Sequence, residues 1–171
     1  MNVMQEVKVE KVTLNIGTGK NQDRLEKALV LLKKITGEDP VKTVTMKRIN
    51  SWGLRPGLPI GAKVTLRKDK AVEVIKKLLV AKENVLKERY YDESGNVSFG
   101  LVEYVDIPGL KYDPDIGILG LQACITLQRP GFRLKYRKIQ KKKIPKQHRI
   151  TKEDAMEFMK SKFGITVGDE E

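Results

Sequence analysis

Cysteine and histidine are almost absent from this sequence of 171 residues, which contains one of each, Cys124 and His148. A single cysteine excludes an internal disulfide and fits a reducing compartment. One cysteine and one histidine are also too few ligands for a zinc module. Cys124 has no flanking catalytic signature and His148 lies in a basic stretch that is expected to be mobile, so both are expected to be structural. The sequence therefore predicts no enzymatic reaction, no metal and no cofactor.

Long apolar runs are missing as well. The longest, such as residues 29–32 and 78–81, have four residues, whereas a membrane-spanning helix needs about 20. Near the N terminus, Glu6, Lys8 and Glu10 interrupt the position where the apolar part of a signal peptide would lie. With 40% hydrophobic and 33% charged residues, the chain is expected to be folded and soluble, and its single cysteine fits the reducing cytoplasm.

Positive charge, in contrast, is abundant and unevenly distributed. The chain has 34 Lys and Arg against 22 Asp and Glu, a net charge of +12. Residues 129–149 include no acid, and their cations alternate with aromatic and apolar side chains. Cations neutralise phosphates and aromatic rings stack on unpaired bases, so this segment predicts RNA contact rather than only a solvated tail. Its ten basic residues are Arg129, Arg133, Lys135, Arg137, Lys138, Lys141, Lys142, Lys143, Lys146 and Arg149.

Alternating apolar and polar residues predict five strands, and apolar stripes after capping residues predict three helices. The strands are expected at residues 7–16, with a phase shift near Lys11, and at 41–46, 62–66, 97–105 and 119–128. The helices are expected after Asn21, after Asp69 and after Thr151, where Asp154 completes a capping box. Breaker-rich loops are expected at 47–61 and 106–120.

These elements predict an α+β fold, with an antiparallel sheet, or alternatively a mixed one, covered by helices on one face. The other face would remain exposed for RNA, and long ordered loops would extend from it. One domain is expected, with a core at residues 1–128, a basic segment packed on it at 129–149, and a C-terminal helix with an acidic tail at 150–171.

The exposed sheet face is the first candidate binding site. Its short hydrogen-bonding and cationic side chains suit an RNA backbone with 2′-hydroxyls. An ordinary solvated sheet face is the alternative. The candidate residues are Thr13, Asn15, Lys63, Thr65 and Arg67.

Five sequence blocks, in order, resemble the archaeal form of the ribosomal protein L-five family of the large subunit. They are VTLNIGTG (12–19), ITGEDPV (35–41), GLRPGLPIGAKVTLR (53–67), GNVSFGLVEYVDIPGLKYDPDIGILG (95–120) and TLQRPGFRL (126–134). The resemblance covers nearly the whole chain. It implies a non-catalytic protein of the central protuberance that binds 5S ribosomal RNA and large-subunit ribosomal RNA.

The resemblance also implies three finer contacts. The exposed sheet face would hold 5S RNA, at Asn15 and Thr65 in particular. Residues 107–120 would contact small-subunit protein S-thirteen in an intersubunit bridge, and the loop within 48–61 would contact transfer RNA in the peptidyl site. The bridge candidates are Pro108, Lys111, Tyr112, Asp113 and Asp115, and the loop candidates are Lys47, Arg48, Trp52 and Arg55.

One position departs from the family. Glu38 stands where relatives commonly have glutamine, and a carboxylate repels phosphate and cannot donate a hydrogen bond. A second interpretation also stays open at this point, a basic RNA chaperone or assembly factor outside the mature ribosome. A structural component would remain stoichiometric with large subunits at high salt.

Overall fold

The computed structural model describes residues 2–168, so most of the expected acidic tail, at 169–171, lies outside the described residues. Seven strands occur in the described part: β1 (Lys8–Gly17), β2 (Val41–Val44), β3 (Pro59–Leu66), β4 (Val85–Lys87), β5 (Val97–Leu101), β6 (Leu121–Gln128) and β7 (Thr166–Gly168). Five of them form an antiparallel sheet in the order β2-β3-β1-β6-β5, while β4 and β7 pair in parallel. The predicted α+β class is therefore confirmed.

Three helices accompany the strands: α1 (Gln22–Thr36), α2 (Lys68–Val80) and α3 (Lys152–Phe163). The side chain of Asn21 accepts a hydrogen bond from the Arg24 amide at 3.2 Å, and Gly37 ends the helix in a left-handed conformation. The capping box of Thr151 and Asp154 is also present. No helix among residues 2–168 is long and apolar enough to cross a membrane.

Helix α2 begins earlier than predicted. Its N-cap is Arg67, so the prediction that Asp69 caps this helix is wrong. Strand β3 ends at Leu66 and a single extended residue separates it from the helix, which leaves Asp69 within the first turn. There its negative charge is favourable near the positive end of the helix dipole.

The hydrophobic core lies between one face of the large sheet and the helices. From β1, Val12, Leu14 and Ile16 point into the core, where they join the buried residues of α1 and α2. The apolar stripe of α1 includes Leu31, which is fully buried, while Leu29 is only half-buried. This one-sided packing leaves the other face of the sheet uncovered by α1 and α2.

Several boundaries differ from those predicted. The strand expected at 41–46 ends at Val44, and the strand expected at 97–105 ends at Leu101, after which Tyr104 is buried in a short 3-10 turn. Strands β4 and β7 were not predicted, because three residues are too few to show an alternating pattern. The register shift between Val9 and Lys11 confirms the irregularity predicted there.

Candidate nucleic-acid interface

Polar side chains form aligned rows across the uncovered face of the large sheet, which we call the outer face. In the first row, Lys63 of β3 lies opposite Asn15 of β1. Asn15 in turn lies opposite Gln122 of β6, and Gly100 of β5 completes the row. The Asn15 amide donates a long hydrogen bond of 3.5 Å to Gln122, so both amides retain hydrogen-bonding capacity for a ligand.

The second row lies beside the first and is formed by short side chains. Thr65 and Thr13 face each other across β3 and β1, and Cys124 and Ser98 continue the row on β6 and β5. Thr65 is exposed and Thr13 is half-buried. Threonine hydroxyls both donate and accept hydrogen bonds, so this row can bond to phosphate and ribose oxygens.

The structure thus brings four of the predicted sheet residues together on the neighbouring strands β1 and β3, and the fifth, Arg67, directly follows β3. Lys63, Thr65 and Arg67 are exposed, whereas Thr13 and Asn15 are half-buried. Gln122, Ser98 and Gly100 share this face but were not among the predicted site residues. The alternation in β6 and β5 could have identified them, since Gln122, Ser98 and Gly100 occupy the exposed positions of both strands.

Charged groups at the edge of the outer face are partly paired. Arg67 lies 3.4 Å from the carboxylate of Glu10, although over half of its side chain remains exposed. Glu38 forms an ion pair with Lys70, and this hydrogen bond raises the pKa of Lys70. A cleft of about 450 Å³ with Glu38, Lys63 and Lys70 in its lining lies at this edge. The cleft therefore contains both signs of charge.

The loop between β2 and β3 is an ordered hairpin. Thr45 and Leu58 are joined by a backbone hydrogen bond at its base, and Ile49 and Leu54 exchange two more at its centre. Gly53 adopts a left-handed conformation, which allows the tight turn after Trp52. The predicted loop boundary at residue 61 is wrong, because β3 already begins at Pro59.

The cations of this hairpin are available to a ligand. Lys47, Arg48 and Arg55 are exposed, and Trp52 has 67% of its surface exposed. The Arg48 side chain donates to Asn50 at 3.0 Å, which restrains its guanidinium group. An exposed ring and exposed cations on one ordered hairpin are suited to a nucleic-acid backbone and its unstacked bases.

The second long loop, residues 107–120, is attached to the fold through Asp113. The Asp113 amide donates to the buried Tyr104 hydroxyl at 2.8 Å, and its carboxylate forms an ion pair with Lys34 of α1 at 3.1 Å. The hydrogen bond from Lys34 and that from the Asp115 amide lower the pKa of Asp113. Asp113 thus links this loop to α1 and to the buried Tyr104.

The other bridge candidates lie on the surface of the same loop. Pro108, Lys111, Tyr112 and Asp115 are all exposed. Tyr112 has 56% of its surface exposed, so a large aromatic side chain faces solvent on this loop. These four exposed residues lie on one loop, which Asp113 joins to α1 and to Tyr104.

The basic segment at 129–149 is closed at its base by its own contacts. The His148 ring lies 2.9 Å from the Pro130 carbonyl and edge-on to Phe132, at 5.7 Å between ring centroids. Arg149 donates to the Ile144 carbonyl at 3.2 Å. His148 therefore has the structural role that the sequence predicted, and the segment is an ordered loop, the basic loop below.

Arg129 differs from the other cations of the basic loop. Its side chain is 12% exposed and forms an ion pair with Asp154 of α3 at 3.0 Å. It also donates to the Arg149 carbonyl at 3.1 Å, across the base of the loop. Arg129 thus joins the basic loop to α3, whereas Arg133 and Lys135 are exposed.

The exposed cations of the basic loop lie beside aromatic and apolar side chains. The Lys135 ammonium group lies 5.5 Å from the centroid of the Tyr136 ring, which is 58% exposed. A shallow cleft of about 550 Å³ has Arg133, Arg137 and Ile139 in its lining.

Within residues 2–168 there is no group of three or more His, Cys, Asp or Glu side chains that could hold a metal. The surfaces offer cations, hydroxyls, amides and rings, which are the groups that bind RNA.

Comparison with known proteins agrees with this chemistry. The family model described as ribosomal protein L5 matches residues 2–55, and the model of the C-terminus of the same ribosomal protein family matches residues 59–158. The large ribosomal subunit protein uL5 of Sulfolobus acidocaldarius is 51% identical over 166 residues, which cover 97% of this chain and 93% of the relative. The proteins of the same name from Nanoarchaeum equitans and Methanosphaera stadtmanae are 45% and 44% identical, over 96% and 98% of this chain and 97% and 99% of the relatives.

The fold, the basic surfaces and these matches place the chain in the class of structural ribosomal proteins, which are not enzymes. More narrowly, the chain belongs to the ribosomal protein L5 family of the large subunit. The resemblance of its five sequence blocks is confirmed, as is the predicted cytoplasmic location within the large ribosomal subunit.

Proposed function

We propose that this protein binds 5S ribosomal RNA through the outer face of its sheet. The observation that carries the proposal is the pair of aligned polar rows, Lys63–Asn15–Gln122 and Thr65–Thr13–Cys124, on a face that α1 and α2 leave uncovered. A sheet holds the backbone of these residues in a fixed geometry, so less conformational entropy is lost when RNA binds. Hydrogen bonds to phosphate and ribose then position the RNA without reading its sequence.

A filter-binding titration with isolated 5S RNA tests this proposal. Asn15→Ala combined with Thr65→Ala is expected to weaken binding by about 10- to 100-fold, since hydrogen bonds at a desolvated surface are worth about 1–3 kcal/mol. The matched control is Ser94→Ala combined with Ser161→Ala, which removes two exposed hydroxyls away from the outer face. Equal affinities of the two double variants would contradict the assignment.

The basic loop is proposed to bind large-subunit ribosomal RNA. Its exposed cations are carried on a frame closed by the contacts of His148 and Arg129, so the charges keep their positions before RNA arrives. Neutralised phosphates release counterions, and the logarithm of the binding constant falls by about 0.7–0.9 per contact against the logarithm of the salt concentration. The exposed Tyr136 ring adds a stacking surface for an unpaired base.

The hairpin between β2 and β3 is proposed to contact transfer RNA in the peptidyl site. Arg48 and Arg55 are exposed on a loop whose backbone hydrogen bonds already fix its shape. A few cations give a contact weak enough to be released at translocation. Arg55→Ala should loosen peptidyl-site transfer RNA and leave 5S RNA binding intact, while equal loss in both assays would contradict separate surfaces.

The loop at residues 107–120 is proposed to contact small-subunit protein S-thirteen in an intersubunit bridge. Its exposed members are Pro108, Lys111, Tyr112 and Asp115. Exposed tyrosine rings are enriched at protein interfaces, and the acidic Asp115 beside the loop's cation is unfavourable for an RNA phosphate. Asp113, whose side chain is 31% exposed, joins this surface to Lys34 of α1, and its backbone amide is bonded to Tyr104.

A further inference from the structure

Two glycines of the outer face, Gly17 and Gly100, are not explained by the fold. A β-carbon at Gly17 would meet nothing within 4 Å, and one at Gly100 would meet only the Leu121 carbonyl, at 4.0 Å. Neither glycine has a positive φ. Glycine in a strand is less stable than alanine by roughly 0.5–1 kcal/mol, so folding alone gives no reason for glycine at either position.

Neighbouring glycines show the contrast. At Gly61, a β-carbon would lie 2.7 Å from the Ile16 carbonyl and 2.9 Å from the Thr43 hydroxyl, so packing excludes a side chain. At Gly120, it would lie 2.8 Å from the Val102 carbonyl. These two glycines are required by the fold. Gly17 and Gly100 leave open space above the sheet instead.

That open space lies beside the amide pair of the first polar row. Gly100 is directly opposite Gln122, and Gly17 is two residues after Asn15 on the same face of β1. Asn15, Gly17, Gly100 and Gln122 take part in lining one concavity of about 460 Å³. A glycine in a strand often marks a position where another backbone approaches closely.

We propose that Gly17, Gly100 and the Asn15–Gln122 amide pair form a shelf on which the ribose–phosphate backbone of RNA lies in direct contact with the sheet. This inference rests on the proposed binding of 5S RNA and adds a steric requirement to it. Because the two glycines have no side chains, the RNA strand can reach the Asn15 and Gln122 amides. These amides then form hydrogen bonds to the hydroxyl and phosphate oxygens of the RNA.

The chemistry of the shelf favours RNA over a protein partner. Lys63 lies opposite Asn15 in the same row and provides a cation for a nearby phosphate. Asn15 and Gln122 lie on β1 and β6, which are paired on both sides, whereas Gly100 lies on the edge strand β5. A protein strand added to that edge would pair beside the shelf and not on its face, whereas RNA needs only the side-chain amides and room for its backbone.

The test adds side chains to the shelf and measures both RNA binding and stability. Gly17→Ala, Gly17→Val and Gly100→Val are titrated with isolated 5S RNA, and their thermal unfolding midpoints are recorded. The matched control is Gly168→Ala, a strand glycine of ordinary φ in the separate β4–β7 sheet, where the added β-carbon would meet the Val85 side chain at 3.3 Å.

RNA affinity is expected to fall in the glycine variants, while thermal stability is expected not to fall. Gly17→Val and Gly100→Val should weaken 5S RNA binding at least 10-fold, Gly17→Ala should weaken it less, and the unfolding midpoints should stay level or rise. The control should bind as the unchanged chain does. All variants should still bind a duplex RNA of the same length at low salt, because the basic loop, which is unchanged, makes that contact.

Three outcomes would overturn the shelf. If the glycine variants bind 5S RNA normally while Asn15→Ala with Thr65→Ala does not, the proposed function stands and close approach at the glycines is wrong. If the unchanged chain does not bind 5S RNA, both fail. If the glycine variants unfold at lower temperature, the fold itself requires these glycines and the premise of the shelf is wrong.

Discussion

At the residue scale, Glu38 shows how an unfavourable charge is compensated at a binding surface. A carboxylate beside Lys63 and Arg67 would repel phosphate, but Glu38 is paired with Lys70 in the same cleft. The pair has no net charge, so its long-range repulsion of RNA is small. The sequence predicted that the Glu38 carboxylate would be unfavourable for RNA. It did not predict the ion pair with Lys70, because Lys70 lies 32 positions further along the chain, in α2.

Removing the Glu38 carboxylate should therefore strengthen RNA binding. Glu38→Gln leaves Lys70 without its partner and adds positive charge to the cleft, so the affinity for 5S RNA should rise several-fold at low salt. The gain should shrink at high salt, because salt screens exposed charges. Titrations at two salt concentrations measure it.

Glu88→Gln is the matched control for this prediction. Glu88 forms an ion pair with Lys152 at 2.6 Å, and the substitution changes the net charge by the same amount. Equal gains for Glu38→Gln and Glu88→Gln would show that overall charge matters and the cleft does not.

A second residue-scale prediction concerns Tyr91. It is buried, and its hydroxyl has no hydrogen-bond partner among the described residues. Burial raises the pKa of Tyr91 to about 12 from an ordinary value of 10.0. Because the folded protein holds this proton more tightly, the stability contribution is complete below about pH 10 and is lost as the pH rises towards 12.

Tyr91→Phe should raise the free energy of unfolding by about 1 kcal/mol, since an unsatisfied buried hydroxyl is unfavourable. It should also remove the part of the alkaline decline that begins near pH 10. Denaturant unfolding at pH 7 and pH 11 measures both. A clear loss of stability at pH 7 would show that the hydroxyl has a partner, and Tyr90→Phe, at a half-buried neighbour, serves as the control.

At the element scale, the basic loop depends on contacts that neither its composition nor its charge reveals. The sequence predicted its ten cations as one RNA-contacting group. Arg129 instead joins the loop to Asp154 of α3, and His148 closes the loop against Pro130 and Phe132. A linear pattern shows which side chains are charged, while folding decides which of them face inward.

Arg129 and Arg133 should therefore respond differently to substitution. Arg129→Ala should lower the free energy of unfolding by about 2 kcal/mol, because it leaves Asp154 and the Arg149 carbonyl without their charged partner. Arg133→Ala, at an exposed position, should leave stability nearly unchanged and weaken binding to large-subunit RNA. Denaturant unfolding and RNA titration of both variants measure this. Similar stabilities would contradict the structural role of Arg129.

The elements themselves were predictable where their patterns were long. Asn21 and the Thr151 capping box marked helix starts correctly, since caps act locally. The N-cap of α2 was mispredicted because an acidic residue is favourable both at the cap and in the first turn. Strands β4 and β7 could not be found, because their pairing joins segments about 80 residues apart.

At the scale of the whole molecule, the fold separates four candidate surfaces. The outer face, the hairpin after β2, the loop at 107–120 and the basic loop are each held by different contacts. The family and the existence of an uncovered face followed from the sequence. The order of the strands did not, and only that order shows that Asn15, Thr65 and Gln122 lie side by side.

The central claim is that RNA lies on the outer face and not on the helices. Methyl resonances of the threonines Thr13 and Thr65 test it directly in a titration with isolated 5S RNA, with the exposed Val30 of α1 and Val80 of α2 as internal references. The account predicts that the threonine methyls shift or broaden while the two valines do not. Shifts at Val30 and Val80, with Thr13 and Thr65 unmoved, would contradict it.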